Sequence, residues 1–485
     1  MISAGIFVCL CLVSAFNYFR TRRQRKFIAN LKGPFTFPLV GSVYKIVFLT
    51  PRNFFQSSAK YLSKYGTLSR CWLFHRLFIP VADLELAKQL LHSESHLETG
   101  YDLMRDWLAD SVLMCPSDQW PLRHQRLAAF FQKDKMLQLI KLLQEQAEKP
   151  YPELVAQAET RQVFNVWPIV SAKVLDFILA TTCGVHSSEQ YKKAFADLTK
   201  LYRNRFLSIK SANRLIFWLS SPFTRRRQLK LIKRINEENK RILEECRQQK
   251  VERIQVKNEG INIERIEPTE RLDHQSLIDV LNGSENLSDD QLLAELNTCN
   301  FLGYLLCSTT LCFALILIAR HPSVQQRCLE ELRIAHSEKE ENLQGMSYLD
   351  AVLKETLRLH PPQLIVGREL SKDFPYTHSK VGDAALPAGS EVYINLYEMQ
   401  RSEEYGQNAK QFQPERFLGN SPELLSFGMG PRSCPAQQFS LMLLKSLLAP
   451  LLLKFELLPH GDAVRQNLQL SPGSRNGFQL AVKLR

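Results

Sequence analysis

The chain has 485 residues, 45% hydrophobic and 23% charged, which is enough apolar material for a large core and leaves one big domain or two or three smaller ones open. Its formal charge of +13 raises nucleic acid as a partner, but Lys and Arg are scattered, densest at Arg20 to Lys26 and Arg225 to Arg227, without zinc-finger spacing or an RNA-binding signature. Nucleic acid is therefore excluded as the expected partner, and the charge favours an anionic membrane surface or an acidic protein.

In chain order, Ile2 to Phe19 is apolar apart from small Ser and Gly residues and Asn17, close to the minimum length that spans a bilayer. Arg20, Arg22, Arg23, Arg25 and Lys26 follow at once, which keeps that flank on the cytoplasmic side. A cleaved signal would carry its positive charge before the apolar run and a small-residue site after it, so residues 1–19 read as an uncleaved transmembrane anchor. Residues 20–41 form a basic flank and a stiff hinge, Gly33-Pro34-Phe35-Thr36-Phe37-Pro38-Leu39-Val40-Gly41, in which two prolines fix backbone angles and withhold N–H groups. Residues 42–485 then make the body, held against the membrane.

The body reads as mainly helix with minor sheet. Met136 to Val155, Arg226 to Lys250, Ser288 to Ala319 and Ser323 to Ala335 carry apolar residues at three-to-four spacing, while Leu386 to Leu396, with a turn at Pro387 and Gly389, reads as strand. Val251 to Asp273 is polar and weakly periodic, the pattern of a mobile surface loop. The eleven cysteines are an odd number without framework spacing, several inside apolar runs, as expected of reduced thiols in a cytosol-facing domain. On such a domain, Asn282-Gly-Ser and Asn286-Leu-Ser are chance matches to the glycosylation pattern.

Near the C-terminus, Phe427-Gly428-Met429-Gly430-Pro431-Arg432-Ser433-Cys434-Pro435-Ala436 is a glycine-rich loop ahead of an apolar helix, Gln437 to Leu453. Glycines permit a tight turn, and a cysteine just before a helix N-terminus meets partial positive charge and free N–H groups that favour a thiolate. Taken alone, the same cysteine is equally a buried small residue.

Phe427, Gly430, Arg432 and Cys434, together with Glu355-Thr-Leu-Arg358 and Pro414-Glu415-Arg416-Phe417 upstream in that order, resemble the motifs of the cytochrome P450 superfamily. Arg320-His321-Pro322 and Leu357-Arg358-Leu359-His360-Pro361 resemble words of its microsomal branch containing insect enzymes and fatty-acid ω-hydroxylases. The resemblance spans essentially the whole chain and implies a helix-rich haem domain with small sheets behind the anchor. It makes Cys434 the axial ligand of the haem iron, a thiolate that favours O–O cleavage. Arg432, Arg368 and Trp120 are implied contacts of the haem propionates. The arginine expected four residues after the tryptophan is replaced by His124, with Arg123 one position early, and both are carried as candidate propionate contacts. Glu355, Arg358 and Arg416 are implied to form a buried structural triad. Ala436 replaces the usual glycine two residues after the ligand.

The departure lies in the helix expected to cross the haem face. Aligned from Arg320-His321-Pro322, Phe301-Leu302-Gly303-Tyr304-Leu305-Leu306-Cys307 falls where the related branch reads Phe-Glu-Gly-His-Asp-Thr-Thr. Leu305 and Leu306 thus replace an acid and an alcohol that deliver protons to iron-bound dioxygen, and neither leucine donates or accepts a proton. Leu302 replaces a glutamate that links covalently to haem in some relatives, so no such link is expected. Thr309 and Thr310 lie on the same face about 5 Å further along. They are the candidate replacement relay; the plainer reading is that each bonds the carbonyl four residues back.

Three functions follow. The first is an NADPH-dependent monooxygenase on the endoplasmic reticulum (microsomal) membrane, its domain cytosolic, taking electrons from NADPH-cytochrome P450 reductase, with cytochrome b5 as a further partner. The second is a reductase-independent isomerase or dehydratase of lipid hydroperoxides, which needs no proton relay. The third is a non-catalytic haem protein that binds an apolar ligand. Phe301, Leu302, Leu305 and Leu306, with the segment from Gln363 through Leu364, Ile365 and Val366, are the expected pocket lining, apolar enough for fatty acids, sterols, terpenoids or lipophilic xenobiotics.

Overall fold

The computed structural model describes residues 2–93, 96–97, 102–108, 110–132, 139, 142, 151–185, 188–206, 214–258, 275–283, 287–337 and 345–485. Its axis is the central helix Asp289–Ala319. The Ser288 hydroxyl accepts from the Gln291 N–H at 3.3 Å, and the Gln291 side chain accepts from the Ser288 N–H at 3.1 Å. This reciprocal cap, with Asp289 and Asp290 in the first turn, fixes the start of the helix. It ends at Arg320, two residues before Pro322, which opens the next helix, Pro322–Ser337. The central helix is long and apolar enough to cross a membrane, yet 78% of its apolar window is buried within the fold, so it is a core helix packed all round.

Around it lie the helix Trp167–Cys183, the motif helix Ser347–Leu359 and the C-terminal helix Gln437–Lys454. Close approach to the first requires Gly303, where a Cβ would stand 2.7 Å from Ile178 Cδ1. Beside this helical body is a five-stranded sheet in the order Cys71–Leu73, Arg76–Val81, Glu391–Asn395, Ile365–Leu370, His96–Leu97. Its pairs are antiparallel except Arg76–Val81 with Glu391–Asn395. Leu77, Ile79 and Val81 point to the buried face at every second position, as a half-covered strand requires. Smaller sheets include the hairpin Gln466–Leu468 with Pro472–Ser474.

Mainly helix with minor sheet is thus the architecture, and several boundaries move. The helix expected to end at Lys250 runs from Pro222 to Asn258, so the first eight residues of the expected loop are helical and residues 259–273 lie outside the described residues. Most of Met136 to Val155 lies outside them as well, its last residues entering the helix Pro152–Thr160. The strand reading of Leu386 to Leu396 resolves into Gly382–Leu386 and Glu391–Asn395 around the expected turn.

At the N-terminus a single helix, Ile2–Phe27, continues through the basic cluster. Arg23 pairs with Asp373, Gln24 Nε2 donates to the Ala388 carbonyl at 2.8 Å, and the Arg25 guanidinium lies 4.5 Å from the Trp72 ring. The proline segment after it is non-helical and stitched to the sheet through the Arg70 N–H to Lys32 carbonyl bond of 2.9 Å and the Gly41 to Leu73 bridge. A side chain at Gly41 would meet the Trp72 carbonyl at 2.4 Å, so glycine is required there.

Candidate functional site

The loop ahead of the C-terminal helix is shaped by Gly428 and Gly430, both left-handed at φ +72° and +71°. Gly430 also passes so close to the end of the helix Leu84–His92 that a Cβ would stand 2.6 Å from the Leu91 carbonyl. The loop closes through the Cys434 N–H, which donates to the Phe427 carbonyl at 2.8 Å. Ala436, the position expected to favour glycine, sits at φ −95°, where alanine carries no strain.

Cys434 is enclosed by protein yet keeps accessible surface, so its side chain lines an internal space. Burial pushes its thiol up and the backbone N–H of Ala436 opposes this. The loop alone therefore favours the neutral thiol; a thiolate here needs a bound cation as counter-charge. On the central helix, Cys299, Leu302 and Leu306 form one stripe that, with Gly303, also keeps accessible surface, and Cys299 lies close enough to Cys434 to feel its charge.

One edge of the site is aromatic and cationic. Trp120 and His124, one turn apart on the helix Trp120–Phe130, stack at 4.6 Å, and the Arg432 guanidinium lies 4.4 Å from the Trp120 ring. His124 Nε2 donates to the Ser433 carbonyl at 3.2 Å, which ties this helix to the cysteine loop. Arg368 is buried on the strand Ile365–Leu370, with Nη1 donating to the Gly367 carbonyl at 3.0 Å. Arg123 belongs elsewhere: one residue on a helix turns the side chain by about 100°, and Arg123 is taken up by Asp110 Oδ1 at 2.9 Å, Gln119 Oε1 at 3.1 Å and Glu295 Oε1 at 3.5 Å. Its assignment to the propionates is corrected accordingly, which leaves His124 beside Trp120 and Arg432.

The three charged motif residues come together. Arg358 and Glu355 are fully buried and doubly bonded, Nε to Oε2 at 2.7 Å and Nη2 to Oε1 at 2.8 Å. Arg416 Nε approaches Glu355 Oε1 at 3.6 Å. Arg358 Nη1 further donates to the carbonyls of Gln400 and Ala409 at 2.5 and 2.6 Å.

The expected pocket set divides. Leu302, Leu306 and Ile365 keep accessible surface. Phe301 is 1% exposed against Trp107, with ring centroids 5.2 Å apart, and Leu305 is 2% exposed in the same main core. Val366 points into the core under the sheet, and Leu364 packs with Phe54 and Leu468. Phe301, Leu305 and Val366 are therefore core residues: helical and strand periodicity turns them away from the space their neighbours line. The candidate relay is corrected too. Thr310 Oγ1 donates to the Leu306 carbonyl at 2.9 Å, and Thr309 Oγ1 pairs with the Ser471 hydroxyl at 2.9 Å, so both hydroxyls are occupied by structural bonds.

Sequence reasoning passed over Glu295. It is 2% exposed, accepts from the Val112 N–H at 3.0 Å, and faces Arg123. Burial pushes its carboxyl up to about 7, against the pull of Val112 and Arg123. An acid flanked by Leu292, Leu293, Ala294 and Leu296 was the available signal.

The comparisons with known proteins agree with this geometry. The sequence profile of the family described as Cytochrome P450 matches residues 31–477. Probable cytochrome P450 316a1 of Drosophila melanogaster is 55% identical over 488 residues, covering 100% of both chains. Cytochrome P450 4d8 of the same fly is 32% identical over 463 residues, covering 90% of this chain and 98% of its own. The residues present fit the haem that such a family implies: a cysteine facing an internal space, a cationic and aromatic edge, and an apolar helical stripe across from it. Profile, relatives and cysteine loop converge on one statement: the chain belongs to the cytochrome P450 family, whose members are haem-thiolate oxidoreductases of the monooxygenase type.

Proposed function

We propose that this protein inserts one oxygen atom of O2 into a lipophilic substrate, using electrons that NADPH-cytochrome P450 reductase, with cytochrome b5 as a further donor, brings to the basic face. The observation that carries this reading is the Cys434 loop, which aims a sulfur into an enclosed space beneath the stripe of Cys299, Leu302 and Leu306. Haem bound there would supply dioxygen chemistry, with a sulfur ligand favouring O–O cleavage. The chain's own part is positional. Arg432, Trp120, His124 and Arg368 would hold the propionate edge through charge-assisted bonds, the apolar stripe would exclude water, and Glu355, Arg358 and Arg416 would brace the loops behind. Leu305 and Leu306 offer no proton, so protons must come from the substrate or from bound water. The N-terminal helix would anchor the protein in the endoplasmic reticulum membrane with the body on the cytosolic side.

One observation favours a second reading. With leucines at both relay positions and the Thr309 and Thr310 hydroxyls already bonded, the helix suits a substrate that brings its own O–O bond, as a lipid hydroperoxide does. The deciding experiment reconstitutes the full-length holoprotein. The ferrous carbon monoxide complex should show the red-shifted band of sulfur ligation, and its absence in folded protein overturns the haem-thiolate reading. Substrate-dependent oxygen insertion with reductase and NADPH supports monooxygenation; conversion of a fatty-acid hydroperoxide without reductase supports the isomerase. Silence in both assays with an intact band marks a non-catalytic haem protein.

A further inference from the structure

Beside the cationic and aromatic edge of the site lies a second charged cluster, one guanidinium with two carboxyls, that the proposed mechanism does not use. Arg123 donates from Nη2 to Asp110 Oδ1 at 2.9 Å and from Nη1 to the Asp110 carbonyl, while Glu295 Oε1 stands further off, 3.5 Å from Nη1. Asp110 is half exposed and accepts a further bond from Gln291 Nε2 at 2.9 Å, whereas Arg123 and Glu295 are buried. One enclosed positive charge therefore faces two acids, and it is committed to the one that also meets solvent. A second carboxylate enclosed there would lack full compensation, so Glu295 is the group that holds a proton. Burial pushes its carboxyl up to about 7 against the bond from the Val112 N–H and the pull of Arg123, and near that value a change in nearby charge decides its state.

Its position joins solvent to site. Glu295, Cys299, Leu302 and Leu306 follow one another at spacings of four, three and four residues, so all lie on one face of the central helix. Glu295 is about 6 Å behind Cys299 along the helix axis, and Cys299 is within reach of the charges of both Glu295 and Cys434. On the other side Cys115, buried in the segment after Asp110, is within reach of Glu295, Arg123 and Arg432. The carboxyl thus stands between the half-exposed Asp110 and two of the residues, Cys434 and Arg432, that would hold haem. The groups facing it are Arg123, Asp110, Cys115 and Cys299, with the Val112 N–H.

We infer that Glu295 is a proton-loading residue: when an electron enters the site, its carboxylate takes a proton from solvent past Asp110 and becomes a carboxylic acid, so that the interior gains no net charge. The inference rests on the proposed haem-thiolate site for the electron, which a one-electron donor supplies, and goes beyond it in naming where the accompanying proton goes. One O–H bond forms on Glu295 and one breaks in solvent water. The physical reason is reciprocity: added negative charge raises the proton affinity of a nearby buried acid, and the bound proton favours the electron by the same factor.

Full-length holoprotein is titrated between its oxidised and reduced forms with ferricyanide and dithionite over roughly pH 5 to pH 9, with an indicator dye to count protons. The midpoint potential should be constant well below pH 7 and fall as pH rises through about 7, with proton uptake on reduction in the same window. Glu295→Gln, which cannot ionise, should lose both the fall and the uptake, and its reduced-minus-oxidised infrared spectrum should lose the C=O stretch of a newly protonated acid. Glu295→Asp should retain all three. Asp110→Asn frees Arg123 for Glu295 and should start the fall at lower pH. A native potential that does not change with pH overturns the inference. So does an equal fall and uptake in the native protein and Glu295→Gln, which would place the proton on another group. Where Glu295→Gln fails to fold, the C=O band decides: its shift in Glu295→Asp supports the inference, and its absence from the native spectrum overturns it. A missing carbon monoxide band defeats the haem-thiolate reading and this inference with it, whereas an intact band with pH-independent reduction defeats this inference alone.

Discussion

Leu305 and Leu306 are adjacent in sequence but stand in different surroundings, which separates the effects of changing them. Leu306 borders the internal space, so Leu306→Thr adds a hydroxyl where a hydroxyl can meet a ligand. Leu305 is 2% exposed in the main core, where a carboxylate would be buried without a partner. Leu306→Thr should therefore raise product formed per NADPH with the carbon monoxide band intact, whereas Leu305→Asp should lower the thermal midpoint and the haem content. If Leu306→Thr leaves coupling unchanged, the lack of a hydroxyl at this position does not limit turnover. Glu295 gives the second residue-scale prediction. Burial moves its carboxyl from an ordinary 4.5 to about 7, so the folded chain keeps a proton that the unfolded chain releases. The contribution of this group to stability is full below pH 4.5 and is lost as pH rises through about 7. The groups that face it are Arg123, Asp110 and Cys299, with the Val112 N–H. Relative to Glu295→Gln, the native protein should thus lose thermal midpoint between pH 5 and pH 8. Parallel profiles for the two proteins would contradict the assignment.

At the scale of elements, the motif helix Ser347–Leu359 is braced by Arg358, whose planar fork serves Glu355 on one side and the carbonyls of Gln400, Ala409 and Gln411 on the other. The bond between the Gln413 N–H and Glu355 Oε1, at 3.0 Å, brings the segment before Arg416 into the same network. Removing one member leaves another charge buried alone, a loss of about 3–5 kcal/mol. Glu355→Ala should therefore lower both the thermal midpoint and the fraction of chains showing the carbon monoxide band. Arg358→Lys should fail similarly, because an ammonium cannot match the fork. A normal yield of holoprotein from either variant would remove the brace from this account. The central helix shows how much of an element is readable in advance. Its cap at Ser288 and its end before Pro322 are written in local chemistry, whereas the side of it that meets the internal space depends on the rotation set by packing against Trp167–Cys183.

For the whole molecule, the N-terminal helix connects two environments. Leu12, Val13, Phe16 and Phe19 are exposed apolar side chains, while Arg23, Gln24 and Arg25 of the same helix are fastened to the sheet side of the body. The basic flank thus ties the helix to the body, and under the proposed anchoring it would also mark the membrane boundary. Deleting residues 1–19 should release protein from membranes in a flotation assay without changing the thermal midpoint. Deleting residues 1–27 should lower the midpoint as well, because the contacts with Asp373, Ala388 and Trp72 are lost. Equal midpoints for the two truncations would show that those contacts carry no stability.

The sequence by itself determined the helix-rich architecture, the cysteine of the loop, the Glu355, Arg358 and Arg416 network and the absence of an acid and alcohol at positions 305 and 306. Each of these resides in local chemistry: apolar period, capping, glycine conformations and motif spacing. Only the tertiary structure decided what each side chain faces. It gave Arg123 to Asp110 and Glu295 rather than to the site edge, tied the Thr309 hydroxyl to Ser471, and sent Phe301, Leu305 and Val366 into the core. Those outcomes depend on how the helices rotate against one another and on partners such as Glu295 and Ser471, more than a hundred residues from the side chains they meet, which no local pattern encodes.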